Sequence, residues 1–266
     1  MLYFPQLTTL TVAQYPVNKE RSARTILNET IEGRITIFQD FSSLPVRWDL
    51  SFTGLTQAER SALEDLFAQS EGRLRPFVFA DPLRNLLARS EELDQAPWQS
   101  DPLLQLTPGL ADPTGGNRAV RVLNIGAGLQ SLGQSIELPG DYYCSFSIHV
   151  RAASPATIEL ARLAGSERQS SMVEAGPAWR RVQFGSKLVS SAAPTRFEVT
   201  VASGESIELF GAQVDAQPSP GSYSRTAAAS GIHTKARFAQ DQLVVMADSV
   251  DSFSARVTIV SPGEVS

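Results

Sequence analysis

The sequence predicts a mainly β protein: a sandwich- or barrel-like N-terminal domain with one α-helix (about 56–70), completed by C-terminal strands, plus an inserted β jelly-roll sandwich. Three observations carry this expectation. Apolar and polar residues alternate in short runs along much of the chain, the period of half-buried strands. One segment alone combines helical spacing with a start signal. Finally, a long stretch of short strand-like runs lies between Asp81-Pro82 and the turn-rich Gln217-Pro218-Ser219-Pro220-Gly221-Ser222, and the residues after it are too few to fold alone.

Taken in order, Leu7 to Val12 reads as a strand-like run, Asn18-Lys19-Glu20 as a polar break, and Gly33 to Phe38 as a further strand. Trp48, Leu50 and Phe52 alternate with Arg47, Asp49 and Ser51, so one face of that strand is core. Gly54 ends the pattern. Thr56 and Glu59 then form a capping box, in which each side chain satisfies a backbone N–H that the first helical turn leaves unpaired. Ala62, Leu63, Leu66 and Phe67 return on one stripe, and Gly72 supplies the stop. Arg75 to Phe79 is a strand closed by Asp81-Pro82.

From Leu86 the texture changes to short strands between Gly, Pro and Ser turns, the spacing of a sandwich or jelly roll. Along Tyr142 to Arg151 the even positions Tyr142, Cys144, Phe146, Ile148 and Val150 are apolar, and the odd ones are polar except Tyr143. Ile158 with Leu160, Val182 with Phe184, Phe197 with Val199 and Val201, and Ile207 with Leu209 repeat the alternation, so at least seven strands fit between 86 and 215. Residues 217–222 read as a linker. Beyond it, Lys235 to Phe238, Gln242 to Met246 and Ser252 to Val260 offer three strands that must join a sheet elsewhere. The economical arrangement joins 1–82 with 220–266 and inserts 83–219 between them. Tandem domains with a C-terminal hairpin are the alternative.

The 266 residues are 42% hydrophobic, which supplies a core without metals or disulfides. The net charge is −5, and the acidity concentrates in 86–218, with fourteen acidic against ten basic side chains. That balance disfavours nucleic acid as a partner. The single cysteine, Cys144, excludes an intrachain disulfide. Met1-Leu2-Tyr3-Phe4-Pro5 lacks the basic and apolar regions of a secretion signal, and no apolar run is long enough for a membrane span.

Candidate chemistry is sparse. His149 falls on the polar side of its strand and is expected to be solvated, and His233 lies in an expected turn. Cys144 lies on the apolar side, where a thiol acts as a small hydrophobe. Gly126-Ala127-Gly128 follows a strand but lacks the third glycine, since Ser131 stands there, and reads as a plain turn rather than a nucleotide loop. Glu159, Glu198 and Glu208 alternate with apolar neighbours and read as outward solubilising charges rather than a catalytic pair. Asp112-Pro113-Thr114-Gly115-Gly116-Asn117 holds oxygen ligands on a turn; a turn without metal is weighed above a calcium loop. Trp98 and Trp179 read as core or edge packing. Tyr143 is the one aromatic breaking a polar strand face and is the candidate contact for a glycan or a protein partner. No enzyme activity, cofactor or metal is expected.

Two stretches resemble a known family. Gly54-Leu55-Thr56-Gln57-Ala58-Glu59, the helix through Phe67, Glu71-Gly72-Arg73 and Phe77-Val78-Phe79 up to Asp81-Pro82 are similar to the N-terminal domain of phage distal-tail, or baseplate-hub, proteins. Asn85-Leu86-Leu87, Ser90-Glu91, Trp98, Asp112-Pro113, Gly116-Asn117, Ala119 and Phe210-Gly211-Ala212-Gln213-Val214 resemble the carbohydrate-binding-module-like jelly roll recurrent in phage and prophage tail proteins. Tyr223-Ser224-Arg225-Thr226 to Ala236-Arg237-Phe238 also has parallels there. The resemblance implies a structural ring subunit, hexameric, linking tail tube to baseplate hub proteins, with the jelly roll projecting outward. It places the chain in a virion or tail-like particle assembled in the host cytoplasm. The alternative is an adhesin whose middle domain binds a cell-surface glycan.

Overall fold

The computed structural model describes residues 1–22, 25–39 and 45–262, and the chain falls into two compact units. The first comprises Met1–Pro5, Ala13–Val78 and Thr234–Ser266, the second Gln6–Val12 and Phe79–His233. The second unit thus extends past the expected 83–219 segment on both sides.

In the first unit, β1 (Asn18–Arg21) pairs antiparallel with β4 (Val46–Leu55), Lys19 opposite Trp48. The expected polar break at Asn18-Lys19-Glu20 is therefore an edge strand, and its charged composition suits an edge that must not recruit further strands. Between them, β2 (Thr25–Glu29) and β3 (Ile35–Gln39) form a separate two-stranded ribbon. In β4, Val46, Trp48, Leu50 and Phe52 are buried as the alternation predicts. The strand continues through Gly54, which takes φ +66°, so that glycine bends it rather than ending it.

Helix α1 (Gln57–Ser70) starts at the predicted box: Glu59 N–H donates to the Thr56 hydroxyl at 3.3 Å, and Thr56 N–H donates to the Glu59 carboxylate at 2.7 Å. Leu63 and Leu66 are its buried apolar side chains, while Phe67 meets Phe238 edge-on at 5.1 Å between ring centres. Glu71 and Gly72 both turn left-handed to end it. A Cβ on Gly72 would meet the Asp241 carboxylate at 2.7 Å, and that carboxylate receives the Arg73 backbone N–H at 3.0 Å.

Strand β5 (Phe77–Ala80) follows. The second unit then contains β6 (Gln99–Ser100), β7 (Leu104–Leu110), β8 (Ala119–Asn124), β9 (Gln130–Ile136), β10 (Cys144–Arg151), β11 (Ala156–Ala164), β12 (Glu167–Ala175), β13 (Arg180–Ser186), β14 (Thr195–Val201) and β15 (Ser206–Asp215). They form two five-stranded antiparallel sheets, ordered β13-β10-β15-β8-β7 and β12-β11-β14-β9-β6. This is the expected jelly-roll sandwich. Phe146, Ile148, Val150, Ile158, Leu160, Phe197, Val199, Ile207 and Leu209 fill it. Arg162 is fully buried here: its Nη1 donates to the Tyr142 and Ser186 carbonyls at 2.6 and 2.8 Å, its Nη2 to Pro139 at 3.1 Å, and the Phe197 ring lies 5.2 Å away.

Residues 7–12 are not the expected strand. They make a tight loop of the second unit, closed by Leu7 N–H to the Thr11 carbonyl at 2.7 Å with Leu10 at φ 65°. Leu7 and Val12 are buried in it, which explains their apolar character without a ladder.

The chain ends with β16 (Ile232–Phe238), β17 (Val244–Ser249) and β18 (Ser252–Ser261). The first unit's sheet runs β1-β4-β18-β16-β5, with β17 also on β18. The C-terminal strands therefore complete the N-terminal sheet, with Ile259 opposite Trp48 and Val257 opposite Leu50.

Candidate functional site

The site lies on the outer face of the sheet β13-β10-β15-β8-β7. Alternation predicted Ser145, Ser147, His149 and Arg151 on that face, expected to meet water. Most of it does not. The turn-rich segment read as a linker lies as a strap across it. Arg181 Nη1 donates to the Gly221 carbonyl at 2.8 Å, Gly221 N–H to Asp215 at 3.2 Å, and Ser224 N–H to the Gln213 side-chain carbonyl at 2.8 Å. Ser145 and Ser147 are buried.

Tyr223 anchors the strap. Its ring sits over Gly211, where a Cβ would approach it to 3.1 Å, and packs against His149 and Phe210 at 6.0 and 5.8 Å between ring centres. Its hydroxyl lies 2.8 Å from Ser90 Oγ and donates to Glu91 at 3.1 Å. His149 is therefore half-buried rather than solvated. Burial, with the neighbouring Arg181 guanidinium, holds its imidazole below the ordinary histidine range. Burial raises Asp215 and Tyr223 above theirs.

One end of the face stays open. Arg151 on β10, Glu208 on β15 and Arg121 on β8 occupy one row across three neighbouring strands, because the register sets Arg151 opposite Glu208 and Glu208 opposite Arg121. Glu208 accepts from Arg121 Nη2 at 2.9 Å and from Arg151 Nε at 2.7 Å. Burial alone would raise the Glu208 carboxyl, but the two guanidiniums outweigh it and hold the group below its ordinary value. The row floors a cleft of about 470 Å³ that is also lined by Ala152, Pro177 and Ser206. Arg151 also lies 4.7 Å from the Trp179 ring. The row carries two positive charges and one negative.

The other candidates resolve individually. Tyr143 sits just before β10, half-buried, with its ring over Gly185 and its backbone N–H and carbonyl both bonded to the Gln6 side chain at 2.7 and 2.9 Å. It lies eight residues from Arg151, about 26 Å along an extended strand, so it is not part of the cleft. Cys144 is buried, and desolvation pushes its thiol up to about 11. His233 lies in β16 rather than a turn and is buried beside Asp81, 3.9 Å away. Gly126 to Gly128 is a turn organised by Asn124, whose side chain accepts from Gly126 N–H and donates to Gly128 carbonyl, each at 2.8 Å. Trp98 is core, its indole N–H bonded to the Arg89 carbonyl at 3.0 Å.

The glutamates are not loose solubilising charges. Glu159 pairs with Arg168 at 2.6 Å, and Glu198 with Arg168 at 3.3 Å and Arg196 at 3.0 Å. Hydrogen bonding from Arg168 holds Glu159 below its ordinary value. Neither Glu159 nor Glu208 has the raised carboxyl that a general acid requires.

Asp112 is likewise saturated. Its Oδ1 accepts from Thr114 N–H, Thr114 Oγ1 and Gly116 N–H at 2.8, 2.6 and 3.1 Å, and its Oδ2 from Arg118 N–H and Nε at 3.1 and 3.3 Å. Five donors fill its roughly four acceptor directions, so a guanidinium and N–H groups occupy the place of a cation. Among the described residues, no group of three His, Cys, Asp or Glu side chains is placed to hold a metal.

No protein-family model matches the chain, and no curated protein does. Solved structures do. One is TmCBM61 in complex with β-1,4-galactotriose, 18% identical, covering 49% of this chain and 97% of that one, with a TM-score of 0.37. Another is the CBM22-1 xylan-binding domain from Paenibacillus barcinonensis Xyn10C, 10% identical over 51% of this chain and 96% of that one, TM-score 0.42. A third is the enzymatically active domain of bacteriophage CBA120 tailspike protein 4, 12% identical over 52% of this chain but 22% of that one, TM-score 0.40.

Proposed function

We propose that this chain is a non-catalytic assembly subunit of a phage-type tail: a homo-oligomeric ring of the distal-tail kind, hexameric by resemblance, between tail tube and baseplate hub. The observation that carries this reading is the β2–β3 ribbon. Among the described residues it pairs with no strand of either unit's sheets, and Leu27, Ile35 and Ile37 are 64%, 61% and 65% exposed, with Ile26, Ile31 and Phe38 exposed as well. An isolated two-stranded ribbon with apolar side chains on both faces is unstable alone and has two free edges for pairing. A second copy of the chain is the occupant a closed ring supplies. The sequence resemblance to distal-tail proteins supports the same reading, and with it a location in a virion or tail-like particle.

Native mass spectrometry and electron microscopy of assembled particles test it. The expected result is a closed ring that Leu27→Glu with Ile37→Lys disperses while each unit stays folded. A monomer that never enters a tail, or a ring indifferent to both substitutions, overturns it.

A second reading is favoured by the open cleft: the jelly roll binds a cell-surface glycan. A glycan array with the full chain addresses it. Tyr143→Ala should weaken binding if that ring is a contact, and no binding to any glycan removes this reading.

A further inference from the structure

We propose that the cleft floored by the Arg121–Glu208–Arg151 row binds a carboxylate-bearing saccharide, an inference that rests on the glycan reading and names its ligand class.

The argument starts from charge. Glu208 neutralises one of two guanidiniums, leaving one positive charge on the floor of a cleft in the acidic part of the chain. Each guanidinium carries five N–H groups. Glu208 takes one nitrogen of Arg121 and the Nε and Nη2 of Arg151, whose Nη2 also reaches the Ala111 carbonyl at 3.4 Å. Donors therefore remain on both arginines, and Arg121 is 47% exposed. A planar fork with donors to spare suits a carboxylate held bidentately.

Shape and lining select the rest of the ligand. The volume of about 470 Å³ falls within the roughly 300–1,000 Å³ usual for small-ligand sites. Ala152 and Pro177 offer an apolar wall for the C–H face of a sugar ring, and the Ser206 hydroxyl pairs with ring hydroxyls. One net positive charge matches a singly charged carboxylate better than a doubly charged phosphate. Glu208 locks both arginines in register, so the site is ordered before the ligand arrives.

Isothermal titration of the full chain at low ionic strength decides the matter. The probes are an oligogalacturonate, a sialylated oligosaccharide, a neutral galactose oligomer, polyglutamate and inorganic phosphate. We expect saturable binding of an acidic saccharide, at least about tenfold weaker binding of the neutral oligomer, and weaker binding of polyglutamate and phosphate. Arg121→Gln should lower the affinity about tenfold with only the small fall in melting temperature that losing one partly exposed ion pair brings, and Arg121→Lys should recover part of the affinity. Neutral, peptide or phosphate probes binding as tightly, an unchanged affinity in Arg121→Gln, or no saturable binding of either acidic saccharide overturns the proposal. Failure here is distinguishable from failure of the glycan reading: neutral-glycan binding that survives Arg121→Gln and is lost in Tyr143→Ala sinks this inference and leaves that reading standing.

Discussion

Replacing Asp112 with Asn tests whether the loop 112–118 is held by a buried carboxylate in place of a metal. The side chain is fully buried, and its two oxygens divide the donors unequally. Keeping the amide oxygen at the Oδ1 position preserves the bonds from Thr114 and Gly116 but turns an NH₂ toward Arg118 N–H and Nε, at 3.1 and 3.3 Å from the present oxygen. The flipped amide would face three donors instead and is worse. Gly116 fixes the geometry, since a Cβ there would lie 2.6 Å from Oδ2. Stranding the Arg118 backbone N–H costs about 1–3 kcal/mol, and losing a charge-assisted bond adds about 1 kcal/mol after the partly exposed guanidinium finds water, so the variant should lose about 2–4 kcal/mol at pH 7. Hydrogen bonds to Asp112 hold its carboxyl far below the ordinary aspartate value despite its burial. A depressed carboxyl contributes stability above its unfolded pKa and loses that contribution as pH falls toward the folded one. The gap between wild type and Asp112→Asn should therefore be full at pH 7 and narrow below about pH 4. Urea unfolding at pH 7, 5 and 3 measures it, with Trp98 and Trp179 reporting the second unit and Trp48 the first. A gap below about 0.5 kcal/mol at pH 7, or one equally wide at pH 3, refutes the reasoning.

Arg162→Ala should destabilise the second unit by about 3–5 kcal/mol in the same assay, because it strands the Tyr142, Ser186 and Pro139 carbonyls in the sandwich core. Arg162→Lys should recover little, since an ammonium lacks the planar fork. Tyr223→Ala should cost about 2–4 kcal/mol and let His149 titrate closer to its ordinary range, upward, as the strap loosens; an unmoved imidazole resonance in NMR titration would contradict the packing account. Thr56→Ala should lower first-unit stability by about 1 kcal/mol through loss of the capping box, with no change at the Trp179 probe.

What the sequence disclosed follows from where burial is one-sided. Trp48, Leu50 and Phe52, and Phe146, Ile148 and Val150, alternate because one face of each strand is core, and Thr56 with Glu59 signals the helix because the box is local. Strands whose side chains meet water carry no such signal. Asn18–Arg21 reads as a break because an edge strand needs no apolar face, and Glu167–Ala175 is polar on its exposed positions apart from Met172 and only half-buried on most of the others. Composition misled at 217–222: glycine, proline and serine mark chain that leaves regular structure, whether it crosses solvent or lies on a sheet. The cleft was illegible for another reason. Arg121, Arg151 and Glu208 each look like ordinary outward charges in Val-Arg-Val, at a strand end and in Ile-Glu-Leu. Only the pairing of β10, β15 and β8 brings them into one row, and register across long loops is not a local property.

The same register explains why the strap covers one end of the sheet and leaves the other open. The rows it crosses pair Ser145 with Asp215, Ser147 with Gln213, and His149 with Arg181 on one side and Phe210 on the other, so they hold one acid and one base. The strap supplies a partner to each charge, the Gly221 carbonyl to Arg181 and the Gly221 N–H to Asp215, and His149 is held toward its neutral form, which offsets the desolvation cost of covering them. The next row holds two guanidiniums against one carboxylate, and burying it would strand a whole positive charge. A register shift in β15 lies within the covered rows, between those of Ser147 and His149, and Gly211 there, at φ +64°, makes the close seat for Tyr223 beside the last of them. On this face the charge row is therefore kept in water by the same physics that hides its neighbours, which is why the one exposed concave stretch is also the one with spare positive charge.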